Sequence, residues 1–199
     1  MTYSFNKLFE DSIKIKTDCI KNGFKSLESM GNHISQSIKN GKKLMLCGNG
    51  GSAADAQHLA AEMLVRLRPS NNREGIPAIT LAQDTSTITA CGNDFGYDLL
   101  YERLVDTLGH PGDCLIVLST SGNSENILKA LKIAKKKDIK TFGFLGNDGG
   151  KAIKNCDEVF LVPSYKTGRI QEAHITAGHA LMEHIEDNLI ESGYINLKK

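Results

Sequence analysis

The chain has no tryptophan, and aromatic residues make up only 6% of its 199 residues. Platforms for exposed bases need aromatic faces, so single-stranded nucleic acid is a poor fit as a partner. An excess of charge of one sign is missing as well, since the formal net charge is +1. Bulk electrostatics therefore steer the chain toward neither nucleic acid nor an anionic membrane. No apolar run is long enough to span a bilayer. The first residues, Met1 to Lys7, form no apolar signal segment. Among the five cysteines (Cys19, Cys47, Cys91, Cys114 and Cys156) there is no CxxC pair. An odd number of cysteines, most of them in apolar stretches, reads as reduced core thiols in a soluble cytoplasmic protein. A DNA-reading head is not expected, because the N-terminal stretch is short and lacks a basic helix.

What is present is a regular alternation. From Phe5 to Lys39 apolar residues recur at three- and four-residue steps, an amphipathic helical pattern that Gly23 and Gly31 weaken enough to allow a break. Short apolar strands are expected at Lys43–Cys47, Ala78–Ala82, Cys114–Ser119, Thr141–Leu145 and Val159–Val162. Helices are expected at Ala53–Leu67, Asp98–Leu108, Asn123–Lys137 and Lys151–Asn155, with a final one from about Arg169 to about Glu191. Strands alternating with helices indicate an α/β fold with a doubly wound parallel sheet of five strands. With no repeat or linker, residues 1–199 read as one domain, in which residues 1–41 form a helical segment beside the sheet. The apolar stripe of that segment needs a cover, and a second subunit is a natural one.

Two glycine- and serine-bearing turns follow strands and precede helices: Cys47-Gly48-Asn49-Gly50-Gly51-Ser52 and Ser119-Thr120-Ser121-Gly122-Asn123-Ser124. Helix N-termini at strand ends offer unpaired N–H groups to an anion, and hydroxyls add donors. Two such cradles in one domain suggest a phosphorylated small molecule. The first turn formally matches the dinucleotide pattern GxGxxA, but the acidic residue expected about 20 positions later is misplaced, Asp84 lying too far on. No Lys-Ser/Thr pair follows the glycines, so a P-loop is excluded. A ligand-free tight strand-to-helix turn is the lesser alternative for the first motif. The second can be a plain capped helix start, with Ser121 or Asn123 as N-cap.

His58 and Glu62 lie four residues apart on one helix face, where they can share a metal, form an acid/base pair or make an ordinary surface ion pair. On the last helix, Gln171 and His179 are eight residues apart and share a side, while Glu172 and His174 face elsewhere. Gly178 is costly inside a helix and points to close packing. His184 reads as exposed or dipole-compensating. Asn93-Asp94 forms a polar turn suited to sugar hydroxyls or to nothing beyond the turn itself.

The stretches CGNGGSAADAQHLAAE, CGNDFGYD, LSTSGNSENI and RIQEAHITAGH together resemble the sugar isomerase (SIS) fold and, more narrowly, the bacterial phosphoheptose isomerase family. The resemblance covers nearly the whole chain. It implies interconversion of sedoheptulose 7-phosphate and D-glycero-D-manno-heptose 7-phosphate through an enediol, feeding the heptose of lipopolysaccharide core. It further implies that Ser119, Thr120, Ser121 and Ser124 hold the phosphate, while Asn49, Gly50, Gly51, Ser52, Asn93, Asp94, Glu62 and Gln171 meet the sugar. Glu62 and His179 match the catalytic acid/base pair, and His58, Glu62, Gln171 and His179 the zinc ligands. Family members are homotetramers with active sites at subunit interfaces. The competing reading is a non-catalytic SIS-fold tetramer that binds the replication initiator. That relative lacks counterparts of Glu62 and His179, both of which this chain has.

Overall fold

The computed structural model describes residues 4–81 and 84–198. Strands β1 (Leu44–Gly48), β2 (Ala78–Thr80), β3 (Cys114–Ser119), β4 (Lys140–Gly146) and β5 (Glu158–Val162) form one parallel sheet in the order β2-β1-β3-β4-β5. The expected strand end at Ala82 lies outside the described residues. Every residue of β1 and β3 is buried, as expected of strands covered on both faces.

Alternate side chains of each strand serve opposite faces. Leu44, Leu46, Ile116, Leu118, Phe142 and Phe144 pack beneath helices α2 (Lys25–Lys39), α3 (Gly51–Ala61) and α7 (Thr167–Glu191). Met45, Cys47, Leu115, Val117 and Leu145 pack beneath α5 (Leu100–Leu108) and α6 (Glu125–Lys136). The four buried cysteines sit within these two cores as free thiols, and burial pushes the Cys114 thiol up to about 11.

The N-terminal segment breaks once. Helix α1 (Phe5–Asn22) ends where Gly23 takes φ 77°, and α2 then continues straight through Gly31. Gly31 is there for packing: a Cβ would meet the His184 ring at 2.3 Å. His184 is therefore half-buried against α2, with Nε2 3.2 Å from Asn32 Oδ1, and not the exposed residue the sequence suggested.

Other departures are local. Lys151–Asn155 holds only a 3₁₀ turn at Ile153–Asn155, and the fifth helix opens with a 3₁₀ turn at Tyr97–Leu99. Asn93 and Asp94 do not form a free turn. They close helix α4 (Thr85–Asp94), which Asp84 caps by accepting from the Thr87 N–H at 2.7 Å. Helix α6 begins after Ser124, which is its N-cap in place of Ser121 or Asn123. The expected helix Ala53–Leu67 starts at Gly51 and changes at Glu62 into a π turn over Glu62–Arg66.

Candidate active site

The strand order reverses between β1 and β3, so the loops after these two neighbours open away from each other at the carboxyl edge of the sheet. That is where open α/β sheets bind ligands. Both sequence-derived cradles lie there.

The first cradle depends on backbone. Gly50 adopts φ 57°, ψ −122° just before α3, a conformation closed to side-chain-bearing residues. At Gly51 a Cβ would meet the Gln171 amide at 2.6 Å, so α7 lays Gln171 directly on the turn. Ser52 is buried in the first turn of α3. The Asn49 side chain is engaged: its amide pairs reciprocally with that of buried Asn126 at 2.9 Å and 2.9 Å, and Tyr97 Oη donates to its Oδ1 at 2.8 Å. This pair ties the first cradle to the start of α6 beneath the second.

In the second cradle the Ser119 hydroxyl accepts from the Gly122 N–H at 3.1 Å, and the Ser121 hydroxyl from the Asn123 N–H at 3.2 Å. The loop is thus pre-shaped by its own hydroxyls. Thr120 is half-buried, Ser121 exposed and Ser124 half-buried, with a hydroxyl that caps nothing. The loop runs directly into the N-terminus of α6, and helix N-termini favour anions.

Helices α3 and α7 cross closely. The crossing has no room for a Cβ at Gly178, which would meet Leu59 Cδ1 at 2.6 Å, so the close packing expected from this glycine is present. The next residue, His179, reaches His58 across the contact: their Nε2 atoms are 2.8 Å apart, and Glu62 Oε1 is 3.3 Å from His58 Nε2. One ligand atom from each of His58, Glu62 and His179 lies within 4.8 Å of the others. The sequence placed His58 and Glu62 together, and the fold adds His179 from 121 residues away.

Asp55, one helical turn before His58, carries no sequence signal of its own. Its Oδ2 is buried without a hydrogen-bond partner. Burial raises its carboxyl above the usual range, while His58 and His179 pull it back down. Two imidazole nitrogens and a carboxylate oxygen converging on one point are a donor set suited to zinc. A cation there would also offset the orphaned Asp55 charge, so the residues present fit that metal.

Asn93 and Asp94 are exposed and hydrogen-bonded to each other at 2.7 Å, and among the described residues no hydrogen bond joins them to the cluster. His174 is fully buried, with Nε2 3.2 Å from the Leu145 carbonyl, and desolvation lowers it to about 4. Glu172 pairs with Arg169, away from the cluster. Both residues face elsewhere, as the helical spacing indicated.

Comparison with known proteins identifies the family. The SIS domain family matches residues 8–146. The phosphoheptose isomerase of Nitratiruptor sp. is 52% identical over 77% of this chain and 81% of its own. That of Aquifex aeolicus is 43% identical over 96% of this chain and 99% of its own. Two solved structures share the fold, both covering 92% of this chain and 96% of theirs: the phosphoheptose isomerase from Neisseria gonorrhoeae at 38% identity and TM-score 0.85, and that from Francisella tularensis at 34% and 0.87. With the SIS match spanning most of the sheet and isomerases similar along nearly the whole length, the chain belongs to the phosphoheptose isomerase family of SIS-domain enzymes.

Proposed function

We propose that the chain interconverts sedoheptulose 7-phosphate and D-glycero-D-manno-heptose 7-phosphate, supplying heptose for lipopolysaccharide core in the cytoplasm. The observation that carries this reading is the convergence of His58, Glu62 and His179 in a fold that also carries two candidate anion cradles. Ser119, Thr120, Ser121 and Ser124 bind the phosphate with the N-terminus of α6. The turn from Asn49 to Ser52, with Gln171 laid on it, meets the sugar end, and the family resemblance assigns Asn93 and Asp94, at the end of α4, to the sugar hydroxyls as well.

The reaction moves one hydrogen between neighbouring carbons. In the aldose-to-ketose direction Glu62 takes the proton from C2 and returns it to C1. His179 delivers a proton to O1 and recovers one from O2, so the double bond passes from C1=O1 through an enediol to C2=O2. Zinc held by His58, Glu62, Gln171 and His179 would supply Lewis-acid polarisation of the carbonyl oxygen. The Glu62 side chain is 19% exposed, sheltered yet accessible to a small sugar. The assembled Glu62/His179 pair favours catalysis over the initiator-binding alternative.

A homotetramer with sites near subunit boundaries is part of this proposal. Phe5, Phe9, Ile13 and Ile20 on α1 are 83%, 71%, 64% and 64% exposed, an apolar stripe that calls for a protein cover. Leu64 and Val65, two and three residues after Glu62 in the same π turn, are 49% and 72% exposed and form a second apolar patch. Among the described residues no helix is long and apolar enough to cross a membrane.

Glu62→Gln tests the assignment. It keeps the side chain's size and removes the base, so kcat is expected to fall by about 10²–10⁴-fold, with the quaternary state unchanged. Retained activity would remove Glu62 as the base.

A further inference from the structure

We propose that the buried Arg73–Glu186 pair positions Glu62, by fixing the backbone of the π turn to the helix that carries His179. The proposal rests on the isomerase reading of Glu62 and adds the device that sets its place.

Helix α3 changes into a π turn at Glu62 itself. Such turns are rare and recur at functional sites, and their irregular backbone needs partners to hold it. Arg73 supplies them. Its side chain is 1% exposed, Nη2 donates to the Glu62 carbonyl at 3.0 Å, and Nη1 donates to the carbonyls of Met63 at 3.0 Å and Glu74 at 2.9 Å. The adjoining chain continues the seam. The Ile76 N–H donates to the Met63 carbonyl at 2.9 Å, and at Gly75 a Cβ would meet the Leu64 carbonyl oxygen at 2.6 Å. Two successive carbonyls of the turn, Glu62 and Met63, are thus hydrogen-bonded by Arg73 and Ile76, and the third, Leu64, packs against Gly75.

The other end of the guanidinium is anchored on α7. Arg73 Nε donates to Glu186 Oε1, in a side chain 2% exposed. Glu186 follows His179 by seven residues, two helical turns along the same side. Its second oxygen accepts from Arg68 Nε at 2.5 Å and from Asn71 Nδ2 at 2.9 Å. A buried ion pair is a poor source of stability compared with apolar residues of the same volume. Its use here is geometric: the planar, five-donor fork of arginine reaches a carboxylate on one helix and carbonyls on another at fixed angles. Lysine, with one nitrogen, has no such reach.

Arg68 is the internal control. It pairs with Glu186 and Asp187 but donates to no carbonyl of the π turn. Three variants are compared with the wild type: Arg73→Lys, Glu186→Gln and Arg68→Met. Read for each are the circular dichroism spectrum, kcat and KM for sedoheptulose 7-phosphate, and zinc affinity by competition with a chromogenic chelator. Arg73→Lys is expected to stay folded, because Arg68 and Asn71 still hold the Glu186 carboxylate. It should lose at least tenfold in kcat and in zinc affinity, with KM within threefold. Glu186→Gln should lose less in the same direction, and Arg68→Met should keep both values within twofold. Wild-type kcat and zinc affinity in folded Arg73→Lys, or equal losses in Arg68→Met, would overturn the proposal. If Arg73→Lys fails to fold, unchanged kcat and zinc affinity in Glu186→Gln would overturn it. A wild type that does not isomerise refutes the isomerase reading instead, and the zinc affinities then still decide whether Arg73 sets the place of Glu62.

Discussion

Replacing Gly178 with alanine should separate the two helices that carry the proposed acid/base pair. The added Cβ would stand 2.6 Å from Leu59 Cδ1 and 2.8 Å from Leu59 Cδ2, and Leu59 is fully buried, so it has nowhere to swing. Carbon atoms in contact prefer about 3.5–4.0 Å, leaving a deficit of about 1 Å that the α3–α7 crossing must absorb. Alanine gains about 1 kcal/mol over glycine inside a helix. Overpacking a core costs about 1–3 kcal/mol, so the net loss is about 0–2 kcal/mol. At about 2–4 °C per kcal/mol for a chain of this size, the melting temperature should fall by up to about 8 °C. The functional loss should be larger, because His179 is the next residue and a displacement of about 1 Å at a catalytic group costs on the order of 100-fold. The control is Gly168→Ala in the first turn of α7, where an added Cβ meets nothing within 4 Å. Thermal unfolding at fixed protein concentration, turnover and zinc competition are measured on both variants. A Gly178→Ala protein as stable and active as Gly168→Ala would refute the reasoning.

Two other perturbations probe separate parts of the structure. Ser121→Ala removes an exposed hydroxyl of the phosphate cradle. A lost hydrogen bond to a charged group is worth about 1.5–3 kcal/mol, so KM should rise about 10–150-fold with kcat unchanged. A lower kcat at unchanged KM would contradict the assignment. Burial lowers His174 from 6.5 to about 4, so the folded chain keeps it neutral while the unfolded chain protonates it at higher pH. Its contribution to stability is full above pH 6.5 and is lost as pH falls toward about 4, at about 1.4 kcal/mol per pH unit. Urea unfolding at pH 7 and pH 5 reads this slope, and His174→Leu should flatten it; an unchanged slope would assign the acid sensitivity to other groups.

The sheet was legible because β1, β3 and β4 are buried on both faces and so read as continuous apolar runs between turns. The two cradles were legible from glycine and hydroxyl chemistry at strand ends. Helix α4 was not, because Thr85-Ser86-Thr87-Ile88-Thr89 has no apolar stripe and two glycine-containing pairs follow it. Its cap, Asp84, draws attention in the sequence only as a misplaced ribose ligand, while its structural task is to hold the Thr87 N–H. The site divides the same way. The spacing of His58 and Glu62 is a local helical fact, whereas their meeting with His179 is set by the fold, with Gly178 its one local sign. Nothing local marks the π turn at Glu62, since the groups that hold its carbonyls, Arg73 and Ile76, come 11 and more residues later. Asp55 is equally silent, because an orphaned carboxylate is defined by which helix packs over it.

The most direct test is turnover of sedoheptulose 7-phosphate by the purified protein, measured as isolated, after chelation and after zinc is restored. The account predicts turnover that chelation suppresses and zinc returns, with His58, Glu62, Gln171 and His179 as the site. Turnover indifferent to metal would leave Glu62 and His179 as acid and base alone and contradict the zinc assignment. No turnover under any of the three conditions would contradict the isomerase reading itself.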